Sequence, residues 1–96
     1  MTTGTDLQDL LTLRDWLRYA VTRFEQAELV YGHGTHNAVD EAAFLLLAHL
    51  KLPVDDVSPW LDCRLTQTER RSVNDLIQAR IATRKPAAYL VQQAYI

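Results

Sequence analysis

The segment from Asn37 to Leu52 constrains the fold more than any other part of the chain, because its helical pattern is apolar on almost every side. A helix of this kind is buried in the middle of a protein. His49 and Lys51 interrupt it, and it is shorter than the ~20 apolar residues of a membrane span. The sequence therefore predicts a central helix that begins at the N-cap residue Asn37 and is stopped by Pro53. Its predicted buried positions are Val39, Ala42, Ala43, Leu45, Leu46, Leu47 and Leu50.

The first third of the chain has the apolar spacing of an amphipathic helix from Asp6 to about Leu29. Trp16 and Phe24 lie eight residues apart and are expected to reach the same side of the core. Thr12 and Asp15 form a capping-box pattern, so a break near Thr12 is an alternative to one continuous helix, with Thr5 as the cap if the helix is continuous. Glycines at 32 and 34 then predict a tight loop.

The second half of the chain predicts a short helical turn and one long helix. Ser58 and Pro59 have the order of an N-cap residue and a first helical proline. Thr66 and Glu69 form a second capping-box pattern, which predicts a helix from Gln67 to Arg84 that is stopped by Pro86. The inward stripe of this helix is predicted to consist of Val73, Leu76, Ile77 and Ile81.

The tail from Ala87 to Ile96 is apolar and aromatic, and residues 93–96 read as the opening of a β strand. A lone strand is not stable in water, so we expect the chain to be part of a longer protein. The predicted fold is all-α: a small bundle of three longer helices with one or two short ones, followed by the start of a β-hairpin. The predicted division is a helical domain over residues 1–90 and the first hairpin arm over 91–96.

Charge is distributed unevenly along the chain, although the net charge is only −2. Residues 1–63 carry four basic and ten acidic side chains, and residues 64–96 carry six basic and two acidic ones. A basic end of this kind favours either a solvated helix face or contact with an acidic protein or RNA. The first residues lack the basic and apolar regions of a signal peptide, so we expect a cytoplasmic protein without membrane contact.

The sequence contains only weak patterns for a metal-binding or catalytic site. His33 and His36 lie in or beside the glycine loop, but zinc requires further ligands and no zinc spacing is present, so we predict no metal site. Cys63 is the only cysteine, and a catalytic thiol requires an adjacent base. We therefore predict no catalytic residue and no cofactor-binding residue in these 96 residues.

Three stretches together resemble a known family. They are Tyr31-Gly32-His33-Gly34-Thr35, then Asp40-Glu41-Ala42 at the start of the buried helix, then Arg84-x-Pro86-x-Ala88-Tyr89-Leu90. The set is similar to the N-terminal domain of the HemK/PrmB protein-glutamine methyltransferases, and the glycine loop is most similar to the PrmB branch. The resemblance covers essentially the whole chain.

The resemblance implies a helical N-terminal domain, a connecting hairpin and a C-terminal Rossmann-like domain that binds S-adenosylmethionine. It also implies methylation of a glutamine side-chain amide in a ribosomal protein of the large subunit. The catalytic Asn-Pro-Pro-Tyr signature and the glycine-rich cofactor loop of the family are absent here. The chain alone is therefore expected to be inactive and to bind no cofactor, whereas the full-length protein would be an enzyme.

The expected role of the domain is recognition of the substrate protein. The expected partners are a ribosomal protein of the large subunit, the catalytic domain of the same protein and, as a further contact, ribosomal RNA. Alternative functions are the same domain of the release-factor glutamine methyltransferase and a stand-alone helical adaptor that binds protein or RNA. The candidate contact residues are Tyr31, His33, His36, Arg80, Arg84, Lys85 and Tyr89.

Overall fold

The computed structural model describes residues 7–32 and 35–94, the last three as backbone only. Four α helices follow in order: α1 (Leu13–Gln26), α2 (Ala38–His49), α3 (Gln67–Thr83) and α4 (Ala87–Ala94), with a 3-10 turn at Ser58–Trp60 between α2 and α3. Within the described residues no strand forms apart from one isolated β-bridge between Thr12 and Arg64. The prediction of a small all-α domain is confirmed.

The central position of α2 is confirmed. This helix packs against α1 and α4, and Leu45, Leu46 and Leu47 are at most 1% exposed. The side chain of Asn37 caps it by accepting a hydrogen bond from the backbone N–H of Asp40 at 2.8 Å. Of the predicted buried positions, Ala43 and Leu50 are half-buried, and the prediction for Val39 is wrong, because Val39 is 54% exposed in the first turn.

Helix α2 ends earlier than Pro53, which was predicted to stop it. The last helical residue is His49, and Lys51 adopts a left-handed conformation with φ of 61°. The backbone N–H of Leu52 then reaches the carbonyl oxygen of Leu47 at 2.8 Å. A left-handed residue just past a helix satisfies its last carbonyls in this way, so the reversal at Lys51 ends the helix before the proline is reached.

Helix α1 begins at Leu13, which confirms the alternative of a break at Thr12. The capping box is complete: Thr12 Oγ1 accepts the Asp15 N–H at 3.2 Å, and the Asp15 carboxylate accepts the Thr12 N–H at 3.0 Å. The backbone N–H groups of Thr12 and Leu11, which both donate to the Asp15 carboxylate, lower the pKa of Asp15. The prediction of a continuous helix is wrong across residues 8–12, and its proposed cap Thr5 lies outside the described residues.

The start of α1 is tied to the segment that leads into α3. The N–H groups of Leu13 and Arg14 donate to the carbonyls of Cys63 and Leu61, each at 2.9 Å, and the Leu65 N–H donates to the Leu11 carbonyl at 2.9 Å. The first N–H groups of a helix have no partner inside the helix, so these contacts satisfy them. As predicted, the side chains of Trp16 and Phe24 are both buried in the core.

The C-terminal third contains two helices and a sharp reversal between them. The capping box of Thr66 and Glu69 is present as predicted, and α3 ends at Thr83 because Arg84 takes a left-handed φ of 63°. Pro86 then begins α4 by accepting hydrogen bonds from the N–H groups of Tyr89 and Leu90. The predicted strand is wrong for residues 93 and 94, which belong to α4, and residues 95 and 96 lie outside the described residues.

The packing of α2 predicts how strongly the fold depends on it. Replacing Leu45, which is 0% exposed, by alanine removes buried methyl groups and leaves a cavity. We expect Leu45→Ala to lower the free energy of unfolding by about 2–5 kcal/mol in urea denaturation. Val39→Ala in the same helix is the control, and its change should stay within about 0.5 kcal/mol. Similar losses at both positions would contradict the central placement of α2.

Candidate partner-binding face

A buried ion pair lies where α2 and α3 meet. The guanidinium of Arg80 on α3 contacts the carboxylate of Glu41 on α2, and the two side chains are only 2% and 3% exposed. The same guanidinium donates a hydrogen bond to the Val30 carbonyl at 3.0 Å. The second oxygen of Glu41 accepts a hydrogen bond from the Thr35 hydroxyl at 2.8 Å. The ion pair therefore holds the loop between α1 and α2, residues 27–37, on both sides of its glycines.

Tyr31 lies against this ion pair. The guanidinium carbon of Arg80 is 5.9 Å from the centre of its ring, which is a cation–π distance. Burial raises the pKa of the Tyr31 hydroxyl, and the charges of Glu25 and Glu41 raise it further. The hydroxyl thus stays protonated, and it has no hydrogen-bond partner among the described residues. Tyr31 is therefore held by its ring, with an unused O–H.

The other end of the α1–α2 loop meets the reversal between α3 and α4. Arg84 Nη1 donates to the carbonyl of Ala27, just past the end of α1, at 2.8 Å. The ammonium of Lys85 lies 4.5 Å from the centre of the Tyr89 ring. Val30 is 84% exposed and Tyr89 is 41% exposed. We call these exposed residues, Val30, Arg84, Lys85 and Tyr89, the loop-end face.

The predicted contact residues fall into three groups. Arg84, Lys85 and Tyr89 are exposed as expected, and His36 is exposed on the loop itself. Tyr31 and Arg80 are brought together, but Arg80 is buried in its pair with Glu41 and is not available to a partner, which corrects its assignment as a surface contact. His33 lies outside the described residues.

The sequence analysis did not predict that Glu41 pairs with Arg80 and holds the loop, because acidic residues are common in the first turn of a helix. One signal was present. Arg80 lies three residues after Ile77 and therefore on the buried stripe of α3, and a buried charge requires a partner of opposite sign. Glu41, near the start of a helix that is otherwise almost wholly apolar, was the matching partner.

A second polar contact joins the opposite ends of α2 and α3. Nε2 of His49 lies 2.9 Å from the Ser72 hydroxyl, which is itself 3.1 Å from the carbonyl of Glu69. Nδ1 of His49 is buried without a partner among the described residues. Helices α2 and α3 therefore run antiparallel, because Glu41 at the start of α2 contacts Arg80 near the end of α3, and His49 at the end of α2 contacts Ser72 nearer the start of α3.

A cleft of about 230 Å³ lies between the N-terminal half of α3 and the start of α1. Its lining includes the side chains of Gln8, Trp16, Gln67, Arg70, Arg71 and Asn74. Within the described part of the chain, no three histidine, cysteine, aspartate or glutamate residues are grouped as metal ligands would be. No helix in that part is long and apolar enough to cross a bilayer.

The sequence of this helical domain matches the family model described as the PrmC N-terminal domain, over residues 15–91. The chain belongs to this family. The match confirms the family resemblance inferred from the loop, the Glu-Ala helix start and the Arg-x-Pro segment. No solved structure matches the chain.

Curated relatives with the name ribosomal protein uL3 glutamine methyltransferase are similar over nearly the whole chain. The protein of Neisseria meningitidis is 50% identical over 88 residues, which is 92% of this chain and 29% of the relative. The protein of Bordetella pertussis is 49% identical over 93% of this chain and 30% of the relative. The protein of Bradyrhizobium diazoefficiens is 46% identical over 92% of this chain. The chain thus spans less than a third of the length of these relatives.

The buried ion pair predicts a large penalty when one partner is removed. Arg80→Met leaves the Glu41 carboxylate buried without a counter-charge, and we expect it to lower the free energy of unfolding by about 3–5 kcal/mol. The double variant Arg80→Met/Glu41→Leu removes both charges and should recover most of this loss. Urea denaturation measures both variants. The exposed Arg18→Met is the control, and we expect little change from it.

The double variant also separates stability from loop anchoring. Backbone order parameters from NMR relaxation at Val30 and Thr35 should be lower than in the wild type even where the unfolding free energy is recovered, because both loop contacts are lost. An Arg80→Met variant as stable as wild type, or unchanged order parameters in the double variant, would contradict this role of the ion pair.

His49 predicts a pH dependence of stability. Burial lowers its pKa below the ordinary value of 6.5, with Glu69 opposing the shift. The unfolded chain therefore binds the proton first as the pH falls, and stability present above about pH 6.5 is lost on acidification. Between pH 7.5 and 5, His49→Gln should lose less unfolding free energy in urea than wild type. His36→Gln, at an exposed histidine, is the control and should follow wild type. A wild-type slope in His49→Gln would refute this assignment.

Proposed function

We propose that this chain is the substrate-recognition domain of a methyltransferase that modifies a glutamine side-chain amide of ribosomal protein uL3. The observation that carries the proposal is the 46–50% identity, over about nine-tenths of the chain, to proteins named for that activity. We assign the domain to a non-catalytic part of such an enzyme, since it matches an N-terminal-domain family and corresponds to less than a third of the length of these relatives. The whole enzyme is proposed to act in the cytoplasm, where ribosomal proteins are made.

The chemistry explains why such an enzyme benefits from a recognition domain. A glutamine amide is a weak nucleophile, and its nitrogen must be held in line with the methyl group that it attacks. Binding energy from remote parts of the substrate can supply this positioning. A rigid helical domain tethered beside a catalytic domain is suited to that task, because its contacts are preorganised before the substrate arrives.

The loop-end face is the proposed contact surface for the substrate protein. It contains Tyr89 and Arg84, residue types that are enriched in the energetically important part of protein interfaces, beside the exposed apolar side chain of Val30. Its backbone is fixed, since Arg80 holds Val30 and Arg84 holds Ala27 through their carbonyls. Little ordering entropy is then lost when a partner binds there. His36, which is exposed in the same loop, extends this proposed surface, and His33 stays a candidate contact by its position in the sequence.

S-adenosylmethionine is the methyl donor of the proposed enzyme, but the described residues of this chain do not fit it. The cleft beside α3 presents two arginines and no carboxylate from the described residues. The cofactor carries a positive sulfonium and ribose hydroxyls that acidic side chains usually bind. We therefore assign the cofactor to the proposed catalytic domain and derive no step for it here.

The alternatives are less well supported. The relatives are named for uL3 and not for a release factor, which favours the ribosomal substrate. A stand-alone adaptor would not require so close a likeness to one end of a longer enzyme. A ribosomal RNA contact remains a separate proposal. It predicts that affinity falls steeply with salt.

The proposal is tested on an enzyme in which this domain precedes the catalytic one. We expect Val30→Ser to lower kcat/KM for folded uL3 by about fivefold, which corresponds to the loss of one interface contact. Methylation of a short glutamine peptide, too small to reach the loop-end face, should not change. Val54→Ser is the matched control, because Val54 is also an exposed loop valine, 52% exposed, and lies beyond the opposite end of α2. It should leave both rates unchanged.

Equal effects of Val30→Ser on the protein and the peptide would argue that the domain only stabilises the catalytic part. Equal effects of Val30→Ser and Val54→Ser on the protein substrate would refute the loop-end face as the contact surface.

A further inference from the structure

The cleft between α1 and α3 is not used by the loop-end face. Helices α1 and α3 run in the same direction, because Arg23 contacts Gln78 and Arg84 contacts Ala27 further along both helices. The cleft lies near their N-terminal ends, at Trp16 and Arg70. Arg84, just past the end of α3, lies fourteen positions after Arg70, which at about 1.5 Å per residue is roughly 20 Å. The two surfaces are therefore at opposite ends of the helix pair.

The lining of the cleft is suited to a small anion. Arg70 and Arg71 bring two guanidinium groups, and Gln8, Gln67 and Asn74 bring amides that also donate hydrogen bonds. The indole of Trp16 is part of the wall and is itself 1% exposed, so this wall is rigid and apolar. Among the described residues no carboxylate lines the cleft. A negatively charged guest would therefore meet several hydrogen-bond donors and two positive charges within the cleft itself.

The two arginines of the cleft, Arg70 and Arg71, differ in how many of their hydrogen-bond donors already have partners. Arg70 Nη1 donates to the Leu65 carbonyl at 2.7 Å, which fixes its guanidinium at the edge of the cleft, and its other N–H groups have no partner among the described residues. Arg71 is exposed and forms no side-chain hydrogen bond or ion pair with the described residues. A guanidinium presents its donors as a planar fork, which matches the two oxygens of a carboxylate. Arg71 is therefore the group most able to take a new partner.

Size and surrounding charge favour a protein carboxylate over RNA. Ligand sites usually exceed about 300 Å³, so a cleft of about 230 Å³ accepts one side chain rather than a nucleotide. RNA binding relies on many neutralised phosphates along a basic surface. Here Asp9 and Asp75 are exposed on the chain segments that carry Gln8 and Asn74, and the net charge is −2.

We propose that this cleft binds the carboxylate of a glutamate or aspartate side chain presented by a protein partner. Arg71 forms the paired hydrogen bonds to the two oxygens, and Arg70 adds a second positive charge. The cleft is thus a second recognition point, about one helix length from the loop-end face. This inference does not depend on the methylation reaction, and its test has no enzymatic readout.

The test is a binding titration of the 96-residue chain followed by NMR. The Trp16 indole N–H, which donates to the Leu10 carbonyl at 2.9 Å, is a probe inside the cleft wall. Adding acetyl-Ala-Glu-Ala-amide should shift this resonance in a saturable way, whereas the peptide with glutamine in place of glutamate should not. Trp60, the other tryptophan, does not line the cleft and reports non-specific effects.

Variants identify the groups responsible. Arg71→Gln should weaken binding of the glutamate peptide at least fivefold, and Arg71→Lys, which keeps the charge without the fork, should give an intermediate affinity. Arg18→Gln is the matched control, an exposed helical arginine outside the cleft that bonds only Thr22, and it should bind as wild type does. Circular dichroism confirms that each variant is folded.

Three outcomes would overturn the proposal. They are equal binding of the glutamine peptide, no effect of Arg71→Gln, and a saturable shift with a uridine oligonucleotide that exceeds the shift with the glutamate peptide. The last result would assign the cleft to RNA.

Discussion

The contact between Glu41 and Arg80 determines how the rest of this domain is arranged. Moving two charges from water into a protein interior is costly, and the cost is offset only when the remaining donors and acceptors also find partners. Val30 and Thr35 supply those partners from the α1–α2 loop. The loop therefore cannot take another path without leaving a buried charge incompletely paired. The ion pair between α2 and α3 thus also restrains the loop between α1 and α2.

The same pair also restricts how α2 can slide along α3. Both helices present aliphatic side chains to the core, and aliphatic packing alone tolerates shifts and rearrangements. Glu41 with Arg80 near one end and His49 with Ser72 near the other specify one antiparallel register. A shift by one turn would separate both contacts at once. Buried polar groups in general contribute less to net stability than to uniqueness of the packing, and we infer that role here.

The parts of the fold that were predictable from the sequence are those decided by neighbours in the chain. The caps at Asn37 and Thr66 were predicted correctly, because a cap depends on residues three positions apart. The Glu41–Arg80 pair spans 39 residues, so no local pattern shows it. The prediction of a strand in the tail was wrong for a different reason. A short apolar run fits a strand or a buried helix equally well. Burial of Ala87, Leu90 and Val91 in the core, at helical spacing, decided for the helix.

The basic side chains of the C-terminal third make separate contacts within the fold, and this limits what they can bind. Arg80 is neutralised in the core, Arg84 and Arg70 each hold a backbone carbonyl, and Lys85 lies over an aromatic ring. Across the part of the chain that the structure describes, these cations do not form the continuous positive surface that strong binding along a nucleic-acid backbone requires. What remains are individual cations beside apolar side chains at two distant ends of α3. Such groups recognise a partner by its shape and by single charges, which suits contact with a protein surface better than contact with a nucleic-acid backbone.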